Sequence, residues 1–222
     1  MAGLQPTIAP ERLLAVEQAI DAFAEGGFVI VYDGESREHE GDLVIAAEHT
    51  NEGALQQLLD HTSGMIRVAL PDERAEELRL PPMVEENTGL QEADFTVSVD
   101  LIEGCTTGVG ARERSRTVRA LADPGTAPED LARPGHVFPV RAAAGGVLER
   151  EGRAEAAADL SRLARLSGVT AMGEIVRPDW NVAHYGDLSR LAASCLMPLI
   201  SVTDVAAYRL AKLAHQRAPA ED

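Results

Sequence analysis

A cluster of charged residues follows the first strongly apolar segment of the chain. Residues 37–42 read Arg-Glu-His-Glu-Gly-Asp, shortly after the apolar run of residues 28–32. An uninterrupted apolar run of this length is typical of a strand buried on both faces, so the charged residues are expected near its end. Carboxylates held close together repel one another, and folded proteins usually keep such a group for a cation or for proton transfer. The alternative is a solvated acidic loop.

Apolar periodicity predicts helices and strands that alternate along one domain, an α/β (α+β) fold spanning residues 1–222 and ordered over about 8–216. Helices are predicted near residues 13–23, 52–60, 115–122, 154–166, 186–195 and 204–215, and residues 71–74 are suited to the start of another. Strands are predicted at residues 28–32, 65–70, 95–100, 169–176 and 199–202. Residues 124–139 are rich in proline, glycine and acids, which indicates a long turn-rich passage. The tail of residues 218–222 is predicted to be disordered.

Composition restricts the partners that we expect. A net charge of −16 over 222 residues argues against nucleic acid and against an anionic membrane, because both need a sustained basic face. A small anionic substrate remains possible, since a few arginines can build a local positive site. Neither a membrane span nor a signal peptide is predicted, and the two cysteines have no metal or redox spacing. We therefore expect a cytoplasmic protein.

Several segments, in order along the chain, resemble one enzyme family. Residues 37–42 are similar to the acidic loop of 3,4-dihydroxy-2-butanone 4-phosphate synthases, which reads Arg-Glu-Asn-Glu-Gly-Asp there. Further similar segments are residues 80–88, residues 95–100 with Thr106-Thr107-Gly108, residues 133–139 (Arg-Pro-Gly-His-Val-Phe-Pro), and residues 141–148 with their Ala-Gly-Gly-Val-Leu. The order and spacing match from about residue 10 to about residue 210.

The resemblance implies a fold, a reaction and an assembly. The family folds as a mixed sheet between helices and forms a homodimer whose active sites lie at the subunit interface. It converts ribulose 5-phosphate through enolisation, loss of water, a skeletal rearrangement and loss of one carbon as formate. A magnesium ion stabilises the oxyanions as a Lewis acid, and carboxylates move the protons.

The same resemblance implies catalytic roles for residues of this chain. Glu38 occupies the position of a metal ligand, and Asp42 that of an acid–base residue that also contacts a substrate hydroxyl. His136 matches a catalytic histidine that reaches the site from the partner subunit, and Glu174 matches a glutamate that shuttles protons. A histidine in a Pro-Gly turn is by itself more often an ordinary loop residue, but the surrounding motif favours a catalytic role for His136.

Five residues are predicted to contact the substrate: three arginines, one threonine and one glutamate. They comprise Arg37, Glu40, Thr107, Arg150 and Arg153. Arg150 matches a phosphate contact of the family, although by itself it reads equally well as a surface arginine.

The chain departs from the family where the metal is expected. The family pattern Arg-x-Gly-His-Thr-Glu-Ala is Arg-Glu-Gly-Arg-Ala-Glu-Ala at residues 150–156. Arg153 therefore replaces a histidine ligand, and Ala154 replaces a threonine that helps to hold the substrate phosphate. A guanidinium at this position is expected to pair with Glu38 and occupy the oxygens that Mg²⁺ needs. We expect no cofactor, or Mg²⁺ bound weakly.

Three functions remain open from the sequence. The first is a divergent lyase that performs enolisation or dehydration with little or no metal, on a sugar-phosphate-like or other acidic polyhydroxylated compound. The second is an authentic synthase of riboflavin biosynthesis, and the third is a non-catalytic relative that only binds. The retained Arg37, Glu38, Asp42, His136 and Glu174 argue against the third. Arg153 and Ala154 argue against the second.

Overall fold

The computed structural model describes residues 9–34, 39–90 and 93–217. The predicted tail of residues 218–222 lies outside these ranges, as do Arg37 and Glu38. Within them the chain forms a seven-stranded mixed sheet with helices on both faces, which confirms the α/β (α+β) fold. No helix in the described part of the chain is long and apolar enough to cross a membrane.

The sheet combines parallel and antiparallel strand pairs. Its strands are β1 (Val29–Tyr32), β2 (Gly41–Ala46), β3 (Arg67–Pro71), β4 (Val99–Leu101), β5 (Leu131–Ala142), β6 (Thr170–Glu174) and β7 (Leu199–Ser201). Their order across the sheet is β4-β5-β3-β6-β2-β1-β7. The pairs β1–β7 and β3–β5 are parallel, and the other neighbours are antiparallel. The central strands are therefore β3, β6 and β2.

Helices cover the two faces of the sheet in two sets. The helices are α1 (Pro10–Ala24), α2 (Glu52–His61), α3 (Asp72–Glu77), α4 (Ala111–Ala122), α5 (Arg153–Leu163), α6 (Tyr185–Cys195) and α7 (Val202–Arg217). Buried residues of α1, α5 and α7 pack with Val29, Val44 and Met172 on one face. Those of α2, α3, α4 and α6 pack with Ile30 and Leu43, among others, on the opposite face. Alternate residues of each central strand thus enter different cores, as the pleat requires.

The helices largely follow the sequence prediction, because their apolar stripes and end signals are strong. The prediction of a turn-rich passage is wrong for residues 131–139, since β5 begins at Leu131 and continues to Ala142, whereas residues 124–130 form turns and a short 3-10 helix. Pro134 and Pro139 suggest turns, yet β5 runs between β3 and the short edge strand β4, whose pairing with β5 is irregular at Val99/Asp100. Pro134 lies in this irregular stretch, where proline is tolerated, whereas Pro139 lies in the regular pairing with β3, opposite Val68. Strand β2 is not among the predicted strands, because its apolar residues directly follow the charged cluster.

Truncation of Leu160 tests the core under α5. Its side chain is fully buried against the sheet, whereas Leu14 of α1 is 54% exposed. We expect Leu160→Ala to lower the free energy of unfolding by about 2–5 kcal/mol, through lost burial and a residual cavity. Leu14→Ala should change it by less than about 1 kcal/mol. Urea unfolding followed by circular dichroism measures both, and equal effects would contradict the described packing.

Candidate active site

Arg153 lies at the centre of a group of carboxylates. It is the first residue of α5, and only 8% of its side chain is exposed. Its guanidinium nitrogens lie 3.2 Å from an oxygen of Asp42 and 3.1 Å from one of Glu174. Oxygens of Asp33 and Glu40 are each 3.5 Å away. One buried guanidinium therefore contacts four acidic side chains.

The sheet explains why these carboxylates meet. Asp42 of β2 pairs directly with Glu174 of β6, so their side chains share one face of the sheet. Asp33 follows β1, and its amide donates to the carbonyl of Glu40 at 3.0 Å, which closes the β1–β2 connection. The start of α5 lies over this face and supplies Arg153. Four separate chain segments are thus brought to one point.

A second arginine contacts the same cluster. Arg67, the first residue of β3, forms an ion pair with the other oxygen of Asp42. Asp42 is fully buried and has a guanidinium beside each of its oxygens. Burying a carboxylate is costly unless it is paired, and this arrangement provides two partners.

The charges of the cluster hold Arg153 in its ionised form. Burial disfavours the charged guanidinium, but Asp42, Asp33, Glu174 and Glu40 together raise the pKa of Arg153 above its usual value. A cation at the first position of a helix is also opposed by the helix dipole. The carboxylates therefore offset two unfavourable contributions, which makes the position of Arg153 dependent on them.

A cavity of about 200 Å³ adjoins Arg153. Its lining includes Arg67, Arg150, Ala154, Glu155 and Met172. The Nη1 atom of Arg153 is buried and has no hydrogen-bond partner among the described residues. This nitrogen is therefore a buried donor that no described residue satisfies.

Arg150 lines this cavity with its guanidinium already engaged. It pairs with Asp94 and Glu155 and donates to the carbonyl of Arg141 at 2.7 Å. Burial disfavours its charge, but hydrogen bonds to Asp94 and Glu155 raise its pKa. Contact with a substrate phosphate would require Arg150 to exchange one of these partners.

His136 and Thr107 lie in a second cluster. The ring Nδ1 of His136 is 2.7 Å from a carboxylate oxygen of Asp100. The hydroxyl of Thr107 donates to Glu113, which also accepts the amides of Thr106 and Gly108. These hydrogen bonds, led by those from Thr106, lower the pKa of Glu113 to about 2.

The predicted site residues therefore divide into two groups. Asp42, Glu40, Glu174 and Arg153 come together, and Arg150 lines the adjoining cavity. Thr107 and His136 belong to the second cluster, and Arg37 and Glu38 lie outside the described residues.

Four residues of these clusters were not among the site residues predicted from the sequence: Asp33, Arg67, Asp100 and Glu113. Val31 of β1 pairs with Asp42, and Asp33 comes two residues later. Residues two apart in a strand share a face, so strand alternation could have placed Asp33 on the same face as Asp42. Asp100 ends the alternating segment that begins at Phe95, but nothing in the sequence linked it to His136.

Comparison with known proteins identifies the family. The family model for 3,4-dihydroxy-2-butanone 4-phosphate synthase matches residues 17–208. The chain belongs to this family. It is 43% identical over 195 residues to a synthase of that name from Desulfatibacillum aliphaticivorans, covering 87% of this chain and 91% of the relative. It is 44% identical over 199 residues to riboflavin biosynthesis protein RibBA from Phocaeicola vulgatus, covering 90% of this chain and 49% of that protein. The chain thus spans about half the length of the RibBA relative.

Solved structures of synthases share the fold. A Candida albicans 3,4-dihydroxy-2-butanone 4-phosphate synthase is 37% identical with a TM-score of 0.81, over 87% of this chain and 96% of that one. A synthase in complex with two magnesium ions is 36% identical with a TM-score of 0.82, over 90% and 95% of the two chains. These similarities confirm the predicted resemblance and its fold.

The described residues of this family member do not fit a Mg²⁺ ion well. Magnesium prefers oxygen ligands in near-octahedral geometry. Here the oxygens of Asp33, Glu40, Asp42 and Glu174 face the fixed charge of Arg153. A divalent ion among them would be repelled by the guanidinium or would have to displace it.

Removal of the Arg153 charge tests this description. In Arg153→Met the carboxylates lose their shared partner, and we expect the free energy of unfolding to fall by about 3–5 kcal/mol at neutral pH. Urea unfolding at neutral pH measures this.

Arg190→Met is a matched control, because Arg190 is 75% exposed and pairs with Asp187 alone at the surface. Its effect should stay below about 1 kcal/mol. A loss in Arg153→Met as small as that in Arg190→Met would contradict the proposed balance of charges.

Proposed function

We propose that this chain is a synthase that converts ribulose 5-phosphate into 3,4-dihydroxy-2-butanone 4-phosphate and formate, as an enzyme of riboflavin biosynthesis. The observation that carries the proposal is an identity of 43% and 40% to two proteins named synthases, over 87% and 90% of this chain. This is the second of the three functions left open by the sequence, and the comparisons favour it over a divergent lyase.

We propose further that the reaction has little or no dependence on Mg²⁺. Arg153 supports this, because its charge lies among the carboxylates at the position of the family's histidine ligand. A guanidinium can donate hydrogen bonds to a developing oxyanion, which is the usual role of such groups in a site with little water. The guanidinium of Arg153 lines the cavity and is the group that would donate these hydrogen bonds.

The predicted roles of the other residues remain part of the proposal, except that Asp42 is given a positioning role. Glu174 accepts from Arg153 and its side chain is 24% exposed, so a substrate can reach it as a proton shuttle. Asp42 is fully buried between two arginines, and we infer that it mainly orients them. His136 supplies a second proton-transfer group, and Arg37, Glu40, Thr107 and Arg150 are proposed substrate contacts. Glu38 keeps its predicted role as a catalytic residue and the remaining metal ligand, should Mg²⁺ bind weakly.

A related lyase acting on another acidic or polyhydroxylated compound is the second candidate. Four features favour it: Arg153, Ala154, the ion pair between Arg67 and Asp42, and the engaged guanidinium of Arg150. Arg67 stands where the family usually has cysteine. Each feature changes the charge or the donors around the cavity and therefore the substrate that fits.

We also propose that the protein acts as a cytoplasmic homodimer. The family builds its active site at the subunit interface, and the ring of His136 is about half exposed in the single chain. That exposure leaves the ring accessible to a site on a second subunit.

Formate release from ribulose 5-phosphate tests the proposed function. We expect turnover by the purified protein at similar rates in excess EDTA and in Mg²⁺. Glu174→Gln and His136→Ala should each lower turnover by about 10²–10⁴-fold, the usual contribution of an acid–base group. Glu129→Gln, at an exposed carboxylate, is the control and should match the parent.

Other outcomes separate the candidates. Activity that vanishes in EDTA and returns with Mg²⁺ would contradict the metal-independent form of the proposal. Failure to release formate in either condition, from a folded protein, would contradict synthase activity and favour the second candidate or a binding role.

A further inference from the structure

His136 is held by one carboxylate through both its ring and its backbone. Its amide donates to Oδ1 of Asp100 at 2.9 Å, and its ring Nδ1 lies 2.7 Å from Oδ2 of the same residue. The side chain of Asp100 is 12% exposed, whereas that of His136 is 47% exposed. The carboxylate of Asp100 thus engages Nδ1 of the ring, and Nε2 is the ring nitrogen left for another partner.

The chemistry of this contact selects a tautomer. An ionised carboxylate only accepts hydrogen bonds, so the hydrogen between the two groups belongs to Nδ1. The neutral ring then carries a lone pair on Nε2, which can accept a proton from a substrate and later return it.

Gly108 and the surrounding loop keep other groups away from this contact. A Cβ at position 108 would lie 2.7 Å from Nδ1 of His136 and would collide with the carboxylate of Asp100. Gly108 has a φ of 76°, a conformation that favours glycine, and its amide donates to Glu113 at 2.9 Å. Only glycine therefore fits beside the contact between Asp100 and His136, and the hydrogen bond to Glu113 holds Gly108 in place.

Charged groups on neighbouring elements also face Asp100. Arg114 of α4 is partly buried, and burial lowers its pKa while the charge of Asp100 opposes that shift. Burial, then Glu113 and Asp100, raise the pKa of Cys105. The guanidinium of Arg114 and the carboxylate of Asp100 therefore attract each other.

We propose that Asp100 is a positioning residue that fixes His136 as the Nδ1–H tautomer and makes Nε2 its working nitrogen. The catalytic part of this inference rests on the proposed function, whereas the tautomer does not.

Nitrogen-15 NMR of the imidazole rings tests the tautomer without any substrate. The parent should show His136 with its hydrogen on Nδ1 at a pH where the ring is neutral, and the signal is assigned by its loss in His136→Gln. In Asp100→Asn the amide can donate to Nδ1, so the population should move toward the Nε2–H form. Asp123→Asn, at an exposed residue after α4, is the matched carboxylate-to-amide control and should leave the spectrum unchanged.

Turnover of ribulose 5-phosphate supplies the second readout. Asp100→Asn should lower kcat by at least about 10-fold in the parent but cause no further loss in a His136→Ala background, because both changes act through one group. An Nε2–H tautomer in the parent, an unchanged ratio in Asp100→Asn, or additive losses would each overturn the inference. A protein inactive on ribulose 5-phosphate but with the expected tautomer shift would contradict the proposed function and support the role of Asp100 in positioning the ring.

Discussion

The ion-pair cluster around Arg153 is the interaction on which the candidate site depends. Asp42 of β2 lies directly opposite Glu174 of β6. Like charges in that position destabilise a sheet, and a cation close to both offsets their repulsion. Arg153 provides the cation from the start of α5, and Arg67 adds a second from β3. Strands β2, β3 and β6 and helix α5 therefore each supply a charged residue to this cluster. A shift of any one of them would change the ion pairs made by the rest.

This chain has the fold of the family but a different distribution of charge in the candidate site. The chain belongs to the synthase family and shares the fold of its solved members, and its acidic and histidine motifs resemble theirs. A guanidinium spreads one positive charge over several donors, whereas Mg²⁺ binds oxygens at short, fixed distances. The proposed chemistry therefore relies on hydrogen bonding to developing oxyanions and on well-oriented acids and bases such as His136.

Much of the fold could be predicted from the sequence, and the failures have physical reasons. Helices such as α5 have strong local signals, but β5 contains Pro134 and Pro139 and forms because β3 and β4 pair with it. The pairing of Asp42 with Glu174 depends on the register of β2 with β6, which local patterns do not contain. Motif resemblance predicted Arg153 as a site residue, whereas the contact of Asp100 with His136 depends on the irregular pairing of β4 with β5.

The central claim is that Arg153 occupies, with its own charge, the position of a divalent cation. Calorimetric titration with Mg²⁺ tests it most directly, using the parent and Arg153→His, which restores the family's ligand. We predict little or no Mg²⁺ binding by the parent and a clear gain of affinity in Arg153→His. Tight, stoichiometric binding by the parent that Arg153→His does not strengthen would contradict the account.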